Sequence, residues 1–256
     1  MGMKRPAAFA STLFLLLPSL SHAAAGAGAP NPCESPRAAR LLCPNLRIGA
    51  PSEIYVEQIG GRVLLRATSN VKSRGKGPME LHGHRNGPRS MRVTQRIYRA
   101  GGGHVDLRTR ASLRFTDVGS YFGGRYWKVH QLAHFELWSV DRHHRPLRLA
   151  RTGPKLNYCL RDLELTRPGR RSPSGAHYPG CNQNPFQHRV TLGTSVGWSD
   201  IYPANYSKQW IPVKGLRGCF AFVMRVDPAN LLYESNERDN SARRLVHLPF
   251  RGDNGC

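Results

Sequence analysis

Two runs in this chain carry side chains whose types and neighbours suit amine and phenol chemistry. In TGPKLNYCLRD (152–162), Lys155 follows a Gly-Pro pair and precedes Cys159 and Asp162. In SDIYPANYSKQW (199–210), Tyr202 follows Asp200 by two residues and precedes a Gln-Trp pair. A phenol ring can be oxidised, and a neutral lysine amine is a nucleophile able to add to the product. Asp200 is the acid nearest Tyr202 in sequence and the candidate for taking up a proton there. Taken singly, Lys155 also reads as a surface lysine and Tyr202 as a loop aromatic beside Pro203.

Metal chemistry would need ligands at fitting intervals. His82 and His84 make an H-x-H on one strand face, and His104, His130 and His134 lie further along. His130 and His134 would share a face if one strand ran through both. Each is equally the kind of histidine that a sheet holds by hydrogen bonds. ESNERDN (234–240) brings Glu234, Asn236, Asp239 and Asn240 together, a set of hard oxygen donors of the kind calcium prefers. Without a metal the same run is an Asx-rich turn.

Several blocks, in order, resemble the lysyl oxidase family over about residues 44–248. RVLLRATSNVKSRGKGPMEL (62–81) is similar to that family's RVLLR-x-x-x-x-V-K-N-x-G run, and the Lys155 block to its G-H/P-K-x-x-F/Y-C-L-x-D pattern. The Tyr202 block is similar to its D-x-Y with Q-W downstream, and LAHFEL (132–137) to its F-S-H-Y-D-L. The resemblance implies copper-dependent oxidative deamination of primary amines, above all peptidyl lysine, to aldehydes. It makes Lys155 and Tyr202 the precursors of a lysine tyrosylquinone cofactor. It also places the copper ligands, an H-x-H-x-H triad, on Gly123, Arg125 and Trp127, none of which is a copper ligand. An arginine there would add a fixed positive charge beside a dication. His104, His130 and His134 are the weak substitutes. For calcium, the resemblance adds PNL (44–46), with Asn45 and Leu46, to Glu234, Asn236, Asp239 and Asn240. It further implies a Cys159–Cys181 cystine, from which Cys33–Cys43 and Cys219–Cys256 follow; the cysteines by themselves leave every connectivity open.

Two functions follow. One is a secreted quinone-dependent amine oxidase. The alternative is a non-catalytic β-sandwich pseudo-enzyme, an extracellular binding or adhesion module that kept the scaffold without the copper histidines.

The elements that must position these groups are strands. From Pro44 onward, apolar and polar residues alternate at period two between Gly, Pro and Asn turns, as in 53–58, 62–68, 78–83, 92–98, 126–131, 133–140, 219–226 and 243–248. No run has the apolar stripe and caps of an amphipathic helix. The fold class is all-β: one antiparallel β-sandwich domain over 44–250 with long irregular loops, the longest at 163–195. Lys4 and Arg5, an apolar stretch at 7–20 and small residues at 21–25 read as a signal peptide over 1–25, and 26–43 as a Gly/Ala/Pro linker. No later segment is apolar for long enough to span a membrane as a helix. Six cysteines fit an exported chain. The net charge of +22, from 38 Lys+Arg against 16 Asp+Glu, favours anionic cell-surface polymers as partners. No nucleic-acid motif accompanies that charge, so no nucleic-acid partner is expected.

Overall fold

The computed structural model describes residues 1–2, 30–252 and 256. The signal-peptide reading of 1–25 lies almost wholly outside them. The chain is built from antiparallel strands: β1 (Leu41–Leu42), β2 (Leu46–Ile48), β3 (Ser52–Ile59), β4 (Arg62–Ser73), β5 (Met79–Gly87), β6 (Ser90–Arg99), β7 (His104–Gly119) and β8 (Gly124–Val140). Then come β9 (Pro146–Thr152), β10 (Leu156–Tyr158), β11 (Glu164–Leu165), β12 (Arg189–Thr194), β13 (Trp198–Tyr202), β14 (Trp210–Pro212), β15 (Gly218–Val226) and β16 (Ser241–Leu248). The larger sheet runs β12-β5-β6-β7-β8-β15-β16, with β1 on β6 and both β9 and β10 on β8. The smaller runs β11-β13-β4-β14, with β2 and β3 also on β4.

Each sheet therefore has a hub strand. β8 pairs with β7, β9, β10 and β15, and β4 with β2, β3, β13 and β14. The inward residues of both hubs, among them Leu65, Ala67 and Val71 on β4 and Trp127, Val129 and Phe135 on β8, belong to one buried cluster. That shared core is what two sheets packed face to face require. The expected strands at 126–131 and 133–140 are one strand, β8, which continues through a left-handed Gln131 (φ 54°). Among the described residues no helix is long and apolar enough to cross a membrane.

Residues 31–43, read as a linker, are held to the domain. Two short 3-10 turns lie at Pro32–Glu34 and Pro36–Arg40, and Leu41 and Leu42 pair with Arg99 and Tyr98. Cys33 bonds Cys43 and packs on Ile97. The other cystines are Cys159–Cys181 and Cys219–Cys256, and no described cysteine is free. Three cystines fit an oxidising compartment.

Candidate functional site

Lys155 lies immediately before β10. It is exposed, and its Nζ reaches Gln131 Oε1 at 3.4 Å. Tyr202 ends β13 and is buried, its hydroxyl accepting from Lys128 Nζ and from the Cys159 amide, each at 3.0 Å. None of the contacts of Tyr202 is to Lys155. The amine beside its ring belongs to Lys128, in the first third of β8. Lys128 Nζ also donates to Tyr206 Oη at 2.9 Å and stands 4.6 and 4.7 Å from the Tyr202 and Tyr206 ring centres. Tyr158 stacks on the Tyr202 ring, 4.1 Å between centres.

The local sequence explains this arrangement. β13 pairs with β4, Tyr202 opposite Ser69, which aims Tyr202 out of the smaller sheet. Lys128 projects from the larger one and is only 2 % exposed. Removing an ammonium from water disfavours its charge, so burial brings Lys128 down to about 7, against the pull of Asp200. Asp200, fully buried, is pushed up to about 7 by the same desolvation, with Arg161 Nε 3.8 Å away opposing it.

The positions where the resemblance expects copper are filled by other structure. Gly123 caps the 3-10 turn between β7 and β8 at φ 87°, where any Cβ would collide with the Tyr126 hydroxyl. Arg125 is exposed and binds Asp117 at 2.9 Å. Trp127 is a core residue, its Nε1 donating to the Asn184 carbonyl at 2.9 Å and its ring against Phe115 and Arg85. The substitute histidines are each engaged separately: His104 lies 3.8 Å from Asp106, His130 3.2 Å from Asn157 and His134 3.5 Å from Glu136. His82 is held by Glu80 at 2.7 Å. Among the described residues the one group of three acid, histidine or cysteine side chains within metal-binding reach contains no histidine. These residues do not fit copper.

That group is Asp227, Glu234 and Glu237, and it adjoins the expected calcium donors. Asn240 Nδ2 donates to Glu234 and Glu237, Asn45 Nδ2 donates to Asp239, and the Leu46 amide donates to Glu234. Asn236 faces solvent and accepts from the Arg238 amide instead. Burial, with Asp227 and Glu237 as like charges, pushes Glu234 well above the carboxylate range; burial and Asp227 bring Glu237 up to about 7. The buried Oδ1 atoms of Asn45 and Asn240 have no hydrogen-bond partner. Crowded carboxylates beside two unused carbonyl-type oxygens fit a hard dication. Asp227 and Glu237 escape a motif reading because one lies outside the 234–240 run and the other at a position the pattern leaves open.

We expect calcium in large excess over its dissociation constant to stabilise the fold by about 2–3 kcal/mol. In scanning calorimetry this appears as a rise of roughly 5–10 °C in Tm, reversed by chelation and absent in Glu234→Gln. An unchanged Tm in the wild type would rule the site out.

A cleft of about 720 Å³ lies elsewhere and includes Arg74, Lys76, Arg167, Arg170 and Arg171 in its lining, with no acid. Its wall is the long 163–195 excursion, tied down where the Thr166 and Arg167 amides donate to the Gly197 carbonyl at 3.0 and 2.9 Å. Gly197 sits at φ 85°, and a Cβ there would strike the Arg167 carbonyl. Arg74 uses Nη2 on Thr166 at 3.0 Å, while its buried Nη1 has no partner. Burial lowers its pKa most, and the positive charges of Arg167 and Arg47 add to that.

Compared with known proteins, the chain matches no protein-family model and no curated protein sequence. The lysyl-oxidase resemblance therefore rests on its sequence blocks alone.

Proposed function

We propose that this chain is a secreted, lysyl-oxidase-like β-sandwich that works as an extracellular binding module for anionic cell-surface polymers. The observation that carries the reading is the acid-free cleft, where three arginines of the long excursion meet Arg74 and its unpartnered buried nitrogen. The dispersed histidines and the occupied Gly123, Arg125 and Trp127 positions support a binding role over copper oxidation.

The test is binding to dextran sulfate, with neutral dextran as control. Arg167→Ser, Arg170→Ser and Arg171→Ser together are expected to weaken it about 10²-fold, at about 1 kcal/mol for each cation facing an anionic surface. A matched triple at exposed Arg92, Arg108 and Arg243 removes the same charge away from the cleft and should cost far less. Equal losses in both triples would mean that only the net +22 field attracts the polymer.

A second reading, amine oxidation through a tyrosine-derived quinone, is favoured by one contact, that of the Tyr202 hydroxyl with a lysine amine. On the binding reading, a redox-cycling quinone stain of the copper-exposed protein stays blank. A stained band that disappears in Tyr202→Phe would overturn the binding reading.

A further inference from the structure

Lys128 is unusual for a lysine in how it is held. Its Nζ makes two hydrogen bonds, to Tyr202 and Tyr206, and no third acceptor lies within reach among the described residues. Among the described residues no carboxylate pairs with it at ion-pair distance. A neutral amine has two N–H donors and one lone pair, so two phenols satisfy both donors and leave the lone pair free. An ammonium in the same place would have a third N–H with no oxygen or nitrogen acceptor, facing only the Tyr126, Tyr202 and Tyr206 rings, whose centres lie 5.8, 4.6 and 4.7 Å from Nζ.

The free lone pair has somewhere to act. Lys128 lines a cavity of about 350 Å³ with Phe122, Tyr126, Pro203, Tyr206 and Arg161. Phe122 and Tyr206 pack at 4.7 Å between centres, which makes an apolar wall. Arg161 supplies the cavity's fixed positive charge, and its side chain is 36 % exposed. An aromatic wall, a cation at the rim and a buried nucleophilic amine together describe a site for a small carbonyl compound that bears a carboxylate.

We propose that Lys128 captures small α-oxo acids as an imine, with Arg161 seating the acid's carboxylate. The Nζ lone pair adds to the carbonyl carbon, and the carbonyl oxygen takes up a proton. The resulting carbinolamine loses its oxygen as water while C=N forms. Both amine protons leave in that water, so nothing is oxidised or reduced. The hydroxyls of Tyr202 and Tyr206, already bonded to Nζ, are placed to relay the protons. This site is separate from the arginine cleft, and neither reading depends on the other.

The test is reductive trapping on the wild-type protein. Glyoxylate with cyanoborohydride at pH 7 reduces the imine and leaves a carboxymethyl group on the trapped lysine, located by peptide mapping. At that pH an ordinary lysine is neutral only about once in 10³ to 10⁴ molecules. Labelling at Lys128 is therefore expected to exceed that at exposed Lys155 by at least about tenfold. Label on Lys155 and the other lysines with Lys128 untouched would overturn the proposal. In Arg161→Gln, the glyoxylate concentration for half-labelling should rise about tenfold, the worth of one charge-assisted contact, while neutral acetaldehyde labels Lys128 as before. Equal effects on the two aldehydes would remove Arg161 from the site.

Discussion

Trp127→Ala is expected to lower folding stability by about 3–5 kcal/mol, read as a shift of the urea midpoint at unchanged slope. Trp127 is fully buried, packs on Phe115 at 5.3 Å between ring centres, and donates to the Asn184 carbonyl. Removing it opens a void in the face-to-face core and deletes a hydrogen bond that ties the 163–195 excursion to the sheet. Placing histidines at 123, 125 and 127 would meet this loss first, before any metal arrived. It would also force a side chain onto a left-handed backbone at Gly123. A destabilisation below about 1 kcal/mol would show that the ring is not a core element.

Between pH 7.5 and 9 the wild type should gain about 2 kcal/mol of stability relative to Lys128→Met. Lys128 titrates at about 7 when folded, whereas an unfolded lysine does so at about 10.4. Across the interval the unfolded chain holds a proton that the native chain lacks, so stability rises with pH. The penalty of burying the amine is fully present below pH 7 and fades toward pH 10. Asp200 acts in the opposite sense and at lower pH. Its folded value near 7 exceeds the unfolded one near 3.9, so its contribution falls between about pH 4 and 7. Above about pH 9 the buried phenols Tyr158, Tyr202 and Tyr206, all raised, turn stability down again. Parallel wild-type and Lys128→Met profiles from pH 7.5 to 9, by chemical denaturation, would contradict this account.

The all-β class was readable because period-two alternation survives even in a chain so rich in arginine. β7 shows the same period in Val105, Leu107, Ala111, Leu113 and Phe115, but Asp106, Arg108, Arg110 and Arg114 between them make it resemble a charged loop. β9 and β12 are short and flank the irregular excursion, where little periodicity accumulates. The site was less legible. In Trp127-Lys128-Val129 the alternation assigns Lys128 to the solvent side of its sheet. It is buried because Tyr202 and Tyr206, more than seventy residues on, cover it. No local pattern reports that cover. The acidic cluster was half-legible for a related reason: Glu234 and Asn240 sit in one short run, whereas Asp227 reaches them from the end of β15.

Cys159 and Cys181 both stand in the wall of the cavity that holds Lys128. The chamber is therefore finished by a covalent clasp that thiol-rich surroundings would undo. A newly made chain kept among reductants would present Lys128 behind an incomplete partition, and would close it only on reaching an oxidising space.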